Sequence, residues 1–343
     1  MVERSKLLLL YTGGTIGMVE DPETGALHPL NFEEIENEIP ELKKFDCVIT
    51  VQSLEKPIDS SNMDIEVWIE LLQIMENEYD NFDGFVIMHG SDTMAYSASA
   101  LSFLLENVNK PIIFTGSQLP IGKIRTDGKE NLITAIEIAS AKENGKPVVP
   151  EVALYFEYSL YRGNRTTKIS AENFEAFQSP NYPLLAEAGV HIKYNRFAIR
   201  NSDDSDLIVR KNIIDNVASI KVFPGLRRDV FQAIANLEGL KGLILETYGS
   251  GNVPSDSWYS EEILKLNQRG VIVLNVTQCT TGNVIQGKYE TGVHLEQAGV
   301  ITGKDITFEA AITKLMYLLS CDELSFEEKK KYINENLRGE ISA

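Results

Sequence analysis

The chain has 343 residues, 43% of them hydrophobic, which suggests one large or two ordinary domains and is ample for a packed core. A net charge of −18 and a pI near 4.7 argue against a nucleic-acid backbone as partner. No apolar segment approaches membrane-spanning length, and the run at residues 7–11 is too short for a signal-peptide core, so a soluble, cytoplasmic protein is expected.

The first predicted element is that apolar run, a short strand buried on both faces. It meets Gly13, Gly14 and Gly17, where the chain must turn sharply. Thr15 lies two residues after Gly13 and two before Gly17. This G-x-T-x-G frame is similar to the nucleophile elbow G-x-S-x-G with threonine in the serine position. The alternative is a plain glycine turn; the spacing fits neither G-x-G-x-x-G nor a phosphate loop. Residues 19–29 read as a polar loop long enough for a lid. Asn31 with Glu34 resembles a capping box opening a helix to about Glu38. Residues 47–51 read as a strand and 57–63 as a loop, and Asp64 is placed to cap a helix to about Tyr79.

The strand at 85–88 ends at His89-Gly90-Ser91-Asp92-Thr93 and passes into a helix rich in Ala, Ser and Leu. Residues 111–116 form the next strand, Asp127 caps a helix to about Lys142, and 152–156 is a strand again. This alternation predicts a parallel α/β sheet with helices on both faces. Residues 195–216 change character, with a polar run at 201–206, and read as a linker. Beyond it, strands at 219–223, 242–246 and 271–276 alternate with helices at 230–237, 260–268 and 308–319. The expected architecture is two α/β domains with mainly parallel sheets: a larger N-terminal domain (1–194), the linker (195–216) and a smaller C-terminal domain (217–343).

Open α/β sheets bind ligands outside the carboxyl ends of their strands. That rule selects the turns at 12–17, 59–62, 89–93, 115–118 and 247–252. A helix opening at Thr93 offers N–H groups and a positive dipole end to a substrate carboxylate, and Asp92 offers an acceptor to a substrate ammonium. Simple helix capping by Ser91, Asp92 or Thr93 is the other reading. A threonine nucleophile needs a base. His89 is one candidate, or equally a core residue. Lys168, after the polar run 162–167, is another, or else part of a solvated basic face. Cys47, Cys279 and Cys321 lie far apart without C-x-x-C, which fits a reducing compartment. None of the four histidines pairs with a second metal ligand, so no metal site is expected.

Taken together, the stretches 11–18, 59–63, 89–96, 115–118, 160–168, 248–252 and 275–279 resemble the bacterial-type L-asparaginases, most closely their cytoplasmic type I branch. The resemblance spans nearly the whole chain, and the paired TGGTIG and HG-[ST]-DTM motifs are highly specific. It implies hydrolysis of L-asparagine to L-aspartate and ammonia, without metal or organic cofactor. By position Thr15 matches the nucleophile that forms the acyl-enzyme, and Ser91, Asp92 and Lys168 match the group that passes the proton. Gly14, Asp59, Ser60, Ser61, Ser91 and Asp92 match the substrate-binding loops, with Asp92 at the ammonium and Ser60, with the backbone at Ser61, at the α-carboxylate. Asn252 matches a residue lent by a neighbouring subunit, which implies a homodimer or homotetramer.

Three departures from the family pattern stand out. Serine replaces the usual threonine at Ser91. The lid stretch 25–28 has no tyrosine. Glu246 stands where some type I members place an arginine that binds effector asparagine, although Thr167 and Cys279 match that site. A carboxylate there repels an effector carboxylate. Two rival readings are an amidotransferase subunit that releases ammonia from glutamine and an amino-acid sensor. The first carries an extra N-terminal domain, for which Thr15 lies too close to Met1; the second needs no nucleophile.

Overall fold

Alternating apolar strands and amphipathic helices build two units, Met1–Lys211 and Asn212–Ala343, in the computed structural model. It describes residues 4–20, 27–29, 39–202, 205–285 and 290–342. The main strands of the first unit are β1 (Ser5–Gly13), β2 (Cys47–Ile58), β3 (Gly84–Met88), β4 (Ile112–Thr115), β5 (Val152–Phe156), β6 (Ser159–Arg162), β7 (Ala186–Ala188) and β8 (Ile192–Tyr194). They form one sheet in the order β8-β7-β6-β5-β4-β3-β1-β2. The run β2-β1-β3-β4-β5 is parallel. The three strands beyond β5 are antiparallel. Helices α1 (Ile65–Glu78), α2 (Met94–Leu104) and α3 (Gly128–Ser140) connect the parallel strands.

Chain order reverses at β1: β2 lies on one side of it and β3 on the other. That switch leaves a crevice between the carboxyl ends of β1 and β3. Residues 7–10 of β1 are buried throughout, as an unbroken apolar run in a central parallel strand should be.

The second unit holds the parallel sheet β9 (Val217–Lys221), β10 (Gly242–Thr247), β11 (Ile272–Thr277) and β12 (Ile301–Thr302), in that order. It also carries helices α4 (Arg228–Ala235), α5 (Trp258–Gln268), α6 (Glu290–Gln297), α7 (Phe308–Ser320) and α8 (Phe326–Asn334). No helix among the described residues is long and apolar enough to cross a membrane.

Several local expectations need correction. The loop expected from residue 57 begins two residues later, because β2 runs on until Ile58 pairs with Gly13 across a register shift. Asp64 caps α1 as expected, its carboxylate accepting from the Val67 amide. Asp127 precedes α3 but makes no cap hydrogen bond; its oxygens accept from the Gln118 and Leu119 amides instead. Strand β6 was not foreseen. It follows a two-residue turn in which Glu157 and Tyr158 both have positive φ (41° and 66°), the geometry that Asn-Gly usually announces. Helix α6 was not foreseen either, nor was α8, although Ser325 and Glu328 form a reciprocal capping box at the start of α8.

Within the stretch expected to be a linker, Ala198 and Ile199 are buried in the first unit's core and residues 208–209 pair with 105–106. In the expected lid, residues 18–20 and 27–29 pair as an antiparallel ribbon. The tip of the lid and the helix expected at 31–38 lie outside the described residues.

The second unit closes on one buried ion pair. Lys314 on α7 reaches Glu340 at 2.5 Å with both side chains fully buried. Lys314 also donates to the carbonyls of Ile333 and Glu335, and Glu340 accepts from the Leu337 and Arg338 amides. Removing one partner of such a pair leaves a buried charge unmet, so Lys314→Met should cost about 3–5 kcal/mol. Urea unfolding, with hydrogen exchange at the Leu337 amide, reads the effect. A loss below about 1 kcal/mol, typical of an exposed pair, would contradict this account.

Candidate active site

Three loops converge at the switch point, and their glycines set how close they come. Gly13 and Gly14 turn at φ 120° and 82°, a region open to glycine. A Cβ on Gly14 would lie 2.4 Å from the Gly90 Cα, and one on Gly13 would lie 1.9 Å from the Ile58 carbonyl oxygen. A Cβ on Gly90 would lie 2.4 Å from the Ser60 Oγ. The loops after β1, β2 and β3 therefore pack backbone to backbone. The Gly14 amide donates to the Ile58 carbonyl at 3.0 Å.

The two threonines of the first loop separate clearly. Thr12 is buried and donates to the Met88 carbonyl at 3.0 Å, so its hydroxyl ties β1 to β3. Thr15 is partly exposed and opens a single 3-10 turn, Thr15–Gly17. Tyr11 lies beneath the turn, where burial pushes its phenol up to about 12, so it stays protonated. In the second loop, Asp59 accepts from the Ser61 amide at 2.9 Å, which lowers its pKa. Ser60 is buried.

None of the hydroxyls at the start of α2 is spent on the helix. Thr93 makes no cap hydrogen bond; it donates to the Ser60 carbonyl at 2.7 Å and pins the third loop to the second. The Lys168 ammonium donates to Ser91 Oγ at 2.8 Å and to Asp92 Oδ1 at 2.7 Å. Lys168 is largely shielded, while the Asp92 side chain is 63% exposed. The arrangement is a lysine clamped between a hydroxyl and a carboxylate at the mouth of a crevice, a group able to accept, hold and return a proton.

His89 is not part of that group. It is fully buried, with Nδ1 2.7 Å from the Gly90 carbonyl and Nε2 2.9 Å from Ser97 Oγ. A carbonyl only accepts, so Nδ1 carries the proton and Nε2 accepts from Ser97. Ser97 in turn accepts from the Trp68 indole at 3.0 Å. Burial pulls the imidazole down to about 4 and keeps it neutral. Its work is to brace the third loop.

The run 162–167 is not a solvated basic face. Arg162 and Arg165 are buried. Arg162 forks onto Glu151, Nε to Oε2 at 2.6 Å and Nη2 to Oε1 at 3.3 Å, and donates to the Ala198 carbonyl at 2.8 Å. The turn Gly163–Arg165 packs on α2, where a Cβ on Gly163 would lie 3.2 Å from the Ala98 Cβ. This buried scaffold delivers the two-residue strand Thr167–Lys168 to the site.

In the second unit Asn252 closes a turn in which it and Tyr248 exchange backbone hydrogen bonds of 2.9 Å. Gly249 and Gly251 supply positive φ there. Beneath the turn, Thr247 donates to Asn275 Oδ1 at 2.6 Å, and Asn275 Nδ2 reaches the Gly251 carbonyl at 3.3 Å. Glu246 lies on β10 with Lys221 Nζ 3.8 Å from its carboxylate. Cys279 is exposed beyond β11. Thr167 belongs to the first unit.

Sequence reasoning missed Gln118, whose side chain reaches Ser91. It also missed Asp127 and Asn131, which hold the loop carrying Gln118. The T-G-S-Q stretch was visible, but a glutamine at a strand end has no chemistry of its own to betray it.

The sequence matches the family described as Asparaginase, N-terminal, over residues 6–200 and the Glutaminase/Asparaginase C-terminal domain over residues 216–333. It is 41% identical to L-asparaginase 1 of Escherichia coli K12 over 346 residues, covering 99% of each chain. It is 37% identical to the 60 kDa lysophospholipase of Mus musculus, covering 98% of this chain and 62% of that one. The structure superposes on L-asparaginase I from Vibrio cholerae with a TM-score of 0.90 at 38% identity, covering 99% of this chain and 100% of that one. The switch-point loops, the clamped lysine and these matches across both units make the chain a member of the asparaginase family.

Proposed function

We propose that this protein hydrolyses the side-chain amide of L-asparagine, giving L-aspartate and ammonia through an ester on Thr15. The observation that carries the reading is Lys168 held between Ser91 and Asp92 beside the glycine-lined turn that presents Thr15. Thr15 Oγ attacks the amide carbon. Backbone N–H groups beside Thr15, other than the Gly14 amide held by Ile58, meet the oxyanion as it forms. The leaving nitrogen takes a proton and departs as ammonia, and water then cleaves the aspartyl ester and regenerates the hydroxyl. Ser91, Lys168 and Asp92 carry protons between these steps.

Asp92 accepts from the substrate ammonium through its exposed edge, while Ser60, Ser61 and the Asp59 turn receive the α-carboxylate. Gly14 serves by letting the Gly90 loop approach, which brings Ser91 and Asp92 to the turn that carries Thr15. The family pattern adds Asn252 from a neighbouring subunit, hence a homodimer or homotetramer. It also implies no metal or organic cofactor and work in the cytoplasm. Ammonia release by the purified protein from asparagine, compared with glutamine, tests the reading. Release from glutamine alone would favour the amidotransferase-type reading, and binding without release would favour a sensor.

Thr15→Ala should fold, bind asparagine and lose on the order of 10⁴-fold or more in kcat. Activity within about tenfold of the parent would place the nucleophile elsewhere, with Ser91 the next hydroxyl to test.

Lys168→Met should lower kcat far more than it raises KM, since a group in the proton path acts on the chemical step. A change in KM alone would make Lys168 a binding residue.

Glu246 stands where some type I family members place the arginine that binds effector asparagine, and there it presents a carboxylate to the effector's carboxylate. Lys221 offsets that charge only in part. An effector that does not bind shifts no equilibrium. The rate should therefore depend hyperbolically on asparagine, with a Hill coefficient near 1. A sigmoidal curve lost in Cys279→Ala or Thr167→Ala would show an effector site that tolerates the acid.

A further inference from the structure

Gln118 joins two parts of the site that sequence neighbours do not connect. Its Oε1 lies 3.3 Å from Ser91 Oγ, and its Nε2 lies 3.0 Å from the Asn173 carbonyl oxygen. Asn173 follows Lys168 by five residues, and its amide donates to Ser170 Oγ at 2.9 Å. The contacts therefore close a ring: Lys168 to Ser91, Ser91 to Gln118, Gln118 to Asn173, and back along the chain to Lys168.

The direction of every hydrogen bond in this ring follows from one atom. A backbone carbonyl only accepts, so the amide nitrogen of Gln118 must face Asn173 and its oxygen must face Ser91. Ser91 must then donate to Gln118, which leaves its lone pairs to accept from the Lys168 ammonium. Gln118 is itself fixed. Its backbone N–H donates to Asp127 Oδ2 at 2.8 Å, and Asn131 Nδ2 donates to the Gly116 carbonyl at 3.0 Å within the same loop.

We propose that Gln118 is the positioning residue that orients the Ser91 hydroxyl and holds the Lys168 segment against it. The inference rests on the reading of this site as an amide hydrolase. Gln118 does not touch the reacting atoms; it acts through Ser91 and Asn173.

The test compares the parent, Gln118→Met and Gln118→Glu in ammonia release from asparagine across pH, with thermal melting as the check on folding. Gln118→Met removes both hydrogen bonds at similar length. It should lower kcat by about 10- to 100-fold, the scale of a misplaced catalytic group, with KM within about threefold. Gln118→Glu keeps an oxygen for Ser91 but, when ionised, sets a second oxygen against the Asn173 carbonyl. A protonated carboxyl restores the donor. The surrounding charges, Lys168, Asp92 and Asp127 at the ring and Arg125, Glu130, Glu157 and Glu172 beyond it, are common to all three proteins.

The Gln118→Glu to parent ratio of kcat should therefore rise as pH falls towards the carboxyl range, while the Gln118→Met ratio stays flat. A merely structural role would move neither ratio with pH. A parent that releases no ammonia overturns the hydrolase reading and this inference together. An active parent with Gln118→Met at parental kcat, or with a pH-independent Gln118→Glu ratio, overturns this inference alone.

Discussion

The site depends on the approach of two backbones, Gly14 against Gly90. No side chain fits between them: a Cβ on Gly14 would sit 2.4 Å from the Gly90 Cα, and one on Gly90 would strike Ser60. The approach occurs where chain order reverses around β1, so the carboxyl ends of β1 and β3 face the same crevice. The three strand-end loops are hung from that contact. Thr15 rides on the loop of Gly14, Ser91 and Asp92 on the loop of Gly90, and Ser60 on the loop that Thr93 pins in place. The braces beneath are polar and buried: Thr12 on Met88, and Trp68 through Ser97 to His89. Buried hydrogen bonds of this kind are costly to break, so they fix position more than they add stability.

Lys168 reaches the same crevice from a different direction and by a different device. It sits at the end of a turn whose arginines are buried. Arg162 is held by Glu151 and by the carbonyl of Ala198, a residue the sequence pattern assigns to a linker. A buried ion pair stabilises weakly in net terms but punishes any other arrangement. That property suits a segment that must deliver one ammonium to a hydroxyl and a carboxylate within 3 Å of each.

The parts of this design that could be read from sequence are those governed by local rules. The buried run of β1, the cap at Asp64 and the strand–helix alternation follow from periodicity and capping chemistry. The motif residues 91, 92 and 168 do meet, although their separation in sequence gives no hint of it. What escaped is set by tertiary partners. Asp127 has the sequence of a helix cap, yet two loop amides claim its carboxylate. Strand β6 follows a turn that places Glu157 and Tyr158 at positive φ, where neither residue advertises a turn. His89 looks like a base until burial and two hydrogen bonds fix it neutral. Helix α8 is different: Ser325 and Glu328 spell out its start as a reciprocal capping box.

The central claim is that this frame makes Thr15, rather than Thr12 or Ser91, the residue that carries the acyl group. The most direct measurement is peptide mapping by mass spectrometry after acid quenching during turnover of isotopically labelled asparagine. The account predicts a labelled aspartyl ester that fragment ions place on Thr15 and not on Thr12, absent before substrate is added. A labelled ester on the peptide containing Ser91, with Thr15 unmodified, would contradict it.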